Sequence, residues 1–254
     1  MVKLLQELRS TLRLAIPMII GQLAIHSLHI IDTAMIGRVG VTEVAAAAFA
    51  SSLFGMPLLF GFGLATALTI LVAQAYGAED LSQARGILRH GIFVGLIYGI
   101  LAFGLFSLTQ HLWIHWLGQP EAVVKAAGPY FTVLMGSLPV VVIFQSLKNY
   151  CEAQDRPWLP LVFLILAVFL NIFLNWLLIF GNWGFPALGL VGAGWATLIA
   201  RTLVSIGFWF YLVTQTPLLR GHTLFRFNAL EWRVVREYLA VGLPIGLQIS
   251  FEVF

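Results

Sequence analysis

Among the residues of this sequence that could do chemistry, Asp32 comes first. It lies in the apolar stretch Leu14–Ile36, flanked by Ile30, Ile31, Met35 and Ile36, 15 residues after Pro17. On a helix that separation is about 22 Å along the axis. Ionisable groups at membrane depth are costly and mark function by default; the other reading is an interfacial carboxylate that reaches headgroup water. Asn171 and Asn175, in Asn-Ile-Phe-Leu-Asn, are four residues apart and share one helical face. Asn175 falls about 16 residues into its own apolar stretch and Asp32 about 18 into the first, so the two are expected at matching depth. A carboxylate facing two amides can bind a proton or a small hard cation through oxygen. Hydrogen bonding between packed helices is the alternative use of such an asparagine pair.

Further polar residues lie among apolar neighbours. Glu252 stands eight residues past Pro244, about 12 Å into its stretch and about 10 Å from the level of Asp32. That is too far for a direct pair. It would line a central cavity or, two residues from the end of the chain, be an exposed terminal residue. Arg201 either neutralises an acid or snorkels to a polar edge, and the sequence names no partner for it. His26 and His29, three apart and followed at the same spacing by Asp32, could relay protons; helix packing is their alternative. Pro17, Pro57, Pro139 and Pro244 fall in or near apolar stretches, where proline kinks helices. Gly192, Ala193, Gly194, Ala196 and Thr197 form a small-residue face suited to close helix packing. There is no phosphate-binding Walker loop, no His-Glu-x-x-His and no Gly-x-Ser-x-Gly, so neither ATP hydrolysis nor hydrolytic catalysis has support; the chain is not expected to be an enzyme.

The elements that must position these residues follow from composition. Of 254 residues, 60% are hydrophobic and 10% charged, with a mean hydropathy of +0.93. Soluble domains carry roughly 25% charged residues, so a soluble fold could not cover its surface with this chain. Seven apolar stretches stand out: Leu14–Ile36, Phe49–Tyr76, Ile87–Gln110, Ala127–Leu147, Leu159–Phe180, Leu190–Val213 and Tyr238–Phe254. Each of the first six is at least about 20 residues long, enough to cross a bilayer as helix. The first is too long for a cleaved signal peptide and has no cleavage site, so it is expected to be retained. The expected class is an all-α polytopic membrane protein. Net charge +3 is too small for a nucleic-acid footprint, and the single Cys151 excludes an intrachain disulfide or a cysteine metal cage.

Basic residues set the orientation. Lys3, Arg9, Arg13, Arg85, Arg89, Lys148, Arg156, Arg220, Arg226, Arg233 and Arg236 all fall at alternate connections, whereas the opposite side holds Arg38 and Lys125. The positive-inside rule then places the N-terminus in the cytoplasm of a multi-pass plasma (bacterial inner) membrane protein. Residues 1–13 form a basic lead-in, with Leu4, Leu5, Leu8 and Leu12 on one helical face. It would lie on the anionic inner surface or simply flank the first span. Residues 14–214 make a six-helix lobe, 215–237 a basic linker and 238–254 the start of a seventh helix. The seventh stretch restarts the first: Arg13-Leu-Ala-Ile-Pro17 is echoed by Leu239-Ala-Val-Gly-Leu-Pro244, 227 residues on. A repeat at that period points to a two-lobed transporter of roughly 450 residues, so a second six-helix lobe is expected as the missing partner.

These stretches resemble the multidrug and toxic compound extrusion (MATE) transporters, in particular their NorM-like branch. The resemblance rests on Leu14-Ala-Ile-Pro17, Ile31-Asp-Thr-Ala-Met-Ile-Gly37, Ala73-Gln-Ala-Tyr-Gly-Ala78 with Gln83-Ala-Arg-Gly-Ile-Leu-Arg89, Asn171 and Asn175 with Trp176, Gly192-Ala-Gly-Trp-Ala-Thr197, and Leu243-Pro-Ile-Gly with Phe251 and Glu252. It implies twelve helices in two six-helix lobes, a V that opens outward, and transport driven by proton or sodium re-entry. Asp32 would be the cation-linked carboxylate of the first lobe and Pro17 the bend that responds to it. Asn171 and Asn175 would be its polar partners, with Thr197 a neighbour. Some members carry an acid on the fifth helix; this chain has Asn175, which speaks against a two-carboxylate proton site here. Glu252 matches the acid on the seventh helix of the NorM-like branch and points to sodium, bound near it or near Asp32, with proton coupling still open. The second lobe's acid would lie beyond Phe254, so the chain is not expected to transport alone.

The function expected is a secondary multidrug antiporter that exports amphipathic, often cationic, organic compounds in exchange for Na⁺ or H⁺, with no cofactor. Its 34 aromatic residues suit lipophilic cations by stacking and cation–π contact, although most will face lipid or packing partners. One alternative is a flippase for lipid-linked precursors, whose cavity should be basic; here only Arg201 is a base at membrane depth. The other is a non-transporting membrane module that needs a partner chain.

Overall fold

The computed structural model describes residues 2–216, 218–219 and 230–253, with the side chains of 2–10, 113, 115 and 253 left aside. The basic residues Lys3, Arg9, Arg220 and Arg226 and the leucines Leu4, Leu5 and Leu8 therefore fall outside what is described. All regular structure among the described residues is helical. The long helices are α1 (Val2–Gly37), α2 (Val41–Gly77), α3 (Leu81–Trp113), α4 (Glu121–Glu152), α5 (Trp158–Phe180), α6 (Gly189–Gln215) and α7 (Trp232–Val253). All seven are long and apolar enough to cross a membrane. The chain is a multi-pass membrane protein.

The first six apolar stretches each fall within one of these helices, the seventh lies in α7 as far as the described residues go, and most helices run on past the ends of their stretches. Hydropathy marks where lipid begins, while capping decides where a helix stops. Asp80 caps α3 by accepting the Gln83 N–H at 2.8 Å, seven residues before the apolar run starts. Gly181, in the left-handed region at φ 72°, ends α5, as glycine commonly does. The lead-in is continuous with the first span, since α1 runs unbroken from Val2 through Pro17. The linker expected over 215–237 is shorter than its basic composition implied, because α7 already begins at Trp232. Arginine and glutamate are good helix formers, so Arg233, Arg236 and Glu237 extend the helix below the apolar run.

Two apolar cores fill the bundle at opposite ends. One lies where α2 joins α3, α4 joins α5 and α6 leads toward α7: Leu68, Leu88, Leu147, Tyr150, Phe208 and Tyr238 meet there. The other lies at the far end, around Phe54, Phe131, Leu134, Leu138 and Ile179. Helices α2 and α4 form the centre and pack on each other, with α3, α6 and α7 around them. Asn149 ties the central pair by donating to the Ala65 carbonyl at 2.8 Å. Helix α1 is peripheral and packs mainly against α5.

Close packing rests on small residues. A Cβ on Gly63 of α2 would collide with the backbone of Gly246 in α7, and one on Gly192 of α6 with the Leu178 carbonyl of α5. Helices without a hydrophobic driving force between them associate through such approaches. Gly63→Val should cost about 1–3 kcal/mol by forcing α7 from α2, read as a lower thermal-unfolding midpoint in detergent. Gly104→Ala, where a Cβ meets nothing within 4 Å, should be neutral or stabilise by about 0.5–1 kcal/mol.

Candidate functional site

Helices α1, α5 and α6 assemble the site at membrane depth, near the end of the bundle that carries the α1–α2, α3–α4 and α5–α6 connections. Asp32 projects from the last third of α1 toward α5. The Asn175 amide nitrogen donates to Asp32 Oδ1 at 2.6 Å and also to Asn171 Oδ1 at 2.9 Å. Asn171 in turn donates to Thr197 Oγ1 of α6 at 3.1 Å. The result is a connected chain, Thr197–Asn171–Asn175–Asp32, in which Asn175 donates to Asp32 on one side and to Asn171 on the other. The two asparagines are 3% and 0% exposed, and their orientation follows from the network.

One acceptor in this chain is left over. Asn175 Oδ1 is buried and has no hydrogen-bond partner. A buried, unpaired carbonyl costs about 1–3 kcal/mol, so a group that supplies a donor or a cation there is stabilised. The oxygens gathered are a carboxylate, two amide carbonyls and a hydroxyl, a donor set suited to a hard monovalent cation or to a shared proton. No cluster of three or more His, Cys, Asp or Glu side chains exists among the described residues, so the set is not one for a transition metal.

Arg201 gives the site its counter-charge. It lies one turn beyond Thr197 on α6, close enough for its charge and that of Asp32 to interact. Its Nη1 donates to Ser137 Oγ of α4 at 2.7 Å, and Ser137 passes its own proton to the Leu134 carbonyl at 2.7 Å. The guanidinium stands 5.7 Å from the centre of the Phe54 ring on α2, within cation–π range. Tyr130, hydrogen-bonded to Ser51, also faces this charge pair. The sequence offered no partner for Arg201. Ser137, a lone hydroxyl in the apolar middle of α4, was the one signal available.

The remaining candidates lie elsewhere. His26 and His29 are on an exposed strip of α1; neither is hydrogen-bonded to Asp32, and the His29 carbonyl accepts from Thr33 at 2.8 Å. Pro17 is buried within α1. Glu252 is exposed near the end of α7, which packs on α2 and α3 and stands apart from the Asp32 group.

With fold and site in place, the class is that of a helical multi-pass membrane protein with a buried polar network. The sequence profile of the MatE family matches residues 17–177, and the chain belongs to that family. It is 31% identical to a probable multidrug resistance protein NorM of Agrobacterium fabrum, over 96% of this chain and 52% of that protein. It is 34% identical to the multidrug resistance protein MdtK of Yersinia pestis (strain Pestoides F), over 100% of this chain and 55% of that protein. Among solved structures, the eukaryotic MATE transporter AtDTX14 matches with a TM-score of 0.87 at 24% identity, covering 98% of this chain and 54% of that one. A MOP superfamily transporter from Pyrococcus furiosus matches with a TM-score of 0.84 at 22% identity, over 94% and 52%. The chain spans about half the length of the curated relatives it matches.

Replacing Asn175 by Leu removes both hydrogens it donates and leaves Asp32 Oδ1 and Asn171 Oδ1 without those bonds. We expect a loss of about 2–4 kcal/mol, measured as a lower thermal-unfolding midpoint. Asn182→Ala, which removes an exposed 2.7 Å bond to the Trp176 carbonyl, should stay within about 0.5 kcal/mol.

Proposed function

We propose that this chain forms one lobe of an ion-coupled multidrug antiporter, with Asp32, Asn171, Asn175 and Thr197 as its cation-coupling site. The observation that carries the reading is the buried Asp32–Asn175–Asn171–Thr197 chain with an unpaired carbonyl at Asn175. The names of the relatives, multidrug resistance proteins NorM and MdtK, support the substrate class: organic, often cationic, amphipathic compounds. The basic residues at alternate connections support a cytoplasmic N-terminus, and the bacterial relatives support an inner-membrane location. The second six-helix lobe supplies the rest of the cavity.

The coupling step follows from amide chemistry. In the arrangement seen, Asn175 is a donor to Asp32. Turning its amide by half a rotation exchanges the NH₂ for the carbonyl, so the same side chain becomes an oxygen ligand. Asn171 Oδ1, released from Asn175, becomes a second, and Thr197 Oγ1 a third. Na⁺ would bind among these oxygens, or a proton would bind on Asp32. Either event neutralises the carboxylate and ends its pull on Asn175 and Arg201. Helix α1 is held mainly by α5 and carries Pro17 about 22 Å from Asp32, so it is the element that responds, bending where proline leaves a backbone bond unmade. Glu252 would line the cavity from α7. His26 and His29 are left as lipid- or cavity-facing residues of α1. Arg201 is already engaged by Ser137, Phe54 and Asp32, which disfavours a flippase that would need it for a diphosphate.

The test is uptake of a fluorescent lipophilic cation by everted vesicles that hold the two-lobed protein, driven by an imposed Na⁺ gradient or by a pH gradient. Asp32→Asn should lower gradient-driven uptake by about a hundredfold or more, and Glu252→Gln by about tenfold. If neither gradient drives uptake in a well-expressed protein, the antiporter reading is wrong.

A further inference from the structure

Far from the carboxylate site, α3 carries a histidine that the coupling mechanism does not use. His90 is 2% exposed, and both of its ring nitrogens are committed. Nδ1 stands 2.7 Å from the Gly86 carbonyl one turn back, and since a carbonyl can only accept, Nδ1 carries the proton. Nε2 is then a lone-pair acceptor. It takes the backbone N–H of Glu231 at 2.9 Å, across 141 residues of sequence.

Glu231 immediately precedes α7, and its carbonyl already accepts the N–H groups of Val234 and Val235. The first N–H groups of a helix have no partner within it and are usually met by a local Ser, Thr, Asp or Asn. Here the acceptor comes from another helix. A second side chain of α3 acts on the same connection: Arg85 Nε donates to the Leu218 carbonyl at 2.9 Å. One end of α3 thus holds the chain where it leaves α6 and again where it enters α7. Packing follows the same seam, because Tyr238 of α7 is 1% exposed and a Cβ on Gly91 would meet its ring at 3.1 Å. An apolar residue could fill the space of the imidazole, yet it would take away the acceptor of the Glu231 N–H.

We propose that His90 is a positioning residue whose neutral imidazole pins the first turn of α7 to α3, so that this end of the seventh helix moves with the first six. Its consequence for transport rests on the antiporter reading: two lobes that rock against each other need a fixed point of attachment, and the pinned start of α7 supplies it.

Hydrogen–deuterium exchange on the full chain in lipid nanodiscs tests the pin without transport. His90→Leu should speed exchange across Glu231–Val235 by about tenfold. His90→Gln places an amide oxygen roughly where Nε2 stands and should keep exchange within about threefold of wild type. Glu231→Pro removes the donor and leaves His90 in place, at a position where proline is tolerated. It should speed exchange at Trp232–Val235 as His90→Leu does, and it answers the question should His90→Leu fail to fold. Unchanged exchange in His90→Leu and Glu231→Pro, or a Gln variant as fast as Leu, overturns the proposal. In the two-lobed protein, His90→Leu should lower turnover about tenfold at unchanged half-saturation, with His90→Gln restoring it. A wild-type protein that transports nothing counts against the antiporter reading, and the exchange data still decide the role of His90.

Discussion

A carboxylate held among packed helices has to be matched by hydrogen bonds and opposite charge, and much of this lobe's polar architecture follows from meeting that demand for Asp32. Desolvating one ion costs several kcal/mol unless partners replace water. Asn175 supplies the short bond, Asn171 orients Asn175, and Thr197 orients Asn171. Arg201 brings the balancing charge and is itself held by Ser137 and Phe54. These groups come from α1, α2, α4, α5 and α6, so five helices are tied to one negative charge. Changing that charge changes the demand on all of them.

The consequence is largest for α1. It lies at the edge of the bundle and packs mainly on α5, with Gly21 close to Leu161 and Leu164. Asp32 supplies a polar tie to that neighbour. A helix at the edge of the bundle is less expensive to move than α2 and α4, which are locked between two apolar cores. Response to a bound cation is therefore expected to concentrate in α1.

Much of this was legible in the sequence, and the limits have physical causes. The spans could be read because lipid demands long apolar runs. Asp32 could be matched with Asn175 because both depths are counted from span ends, and a helix rises by a fixed amount per residue. Helix ends were poorly read, since a cap such as Asp80 or Gly181 acts outside the apolar window. Partners of Arg201 were out of reach, because depth says nothing about which way a helix is turned. The spacing of His26, His29 and Asp32 suggested a relay, yet α1 leaves both histidines exposed. Three residues turn a helix by about 300°, so two such steps carry a side chain off the face that meets α5.

The two ends of the bundle divide the work between them. The end that holds Asp32 contains the Asp32–Arg201 charge pair and the unpaired carbonyl of Asn175. The other end is packed by Leu68, Leu88, Phe208 and Tyr238; there His90 accepts the Glu231 N–H at the start of α7, and Arg85 donates to the Leu218 carbonyl in the connection that follows α6. On the antiporter reading proposed above, an ion that arrives at the first end would change the tilt of α1 and leave the attachment of α7 intact. Such a transporter needs that separation, because a motion that also loosened the connection between lobes would spend the ion's binding energy without moving substrate.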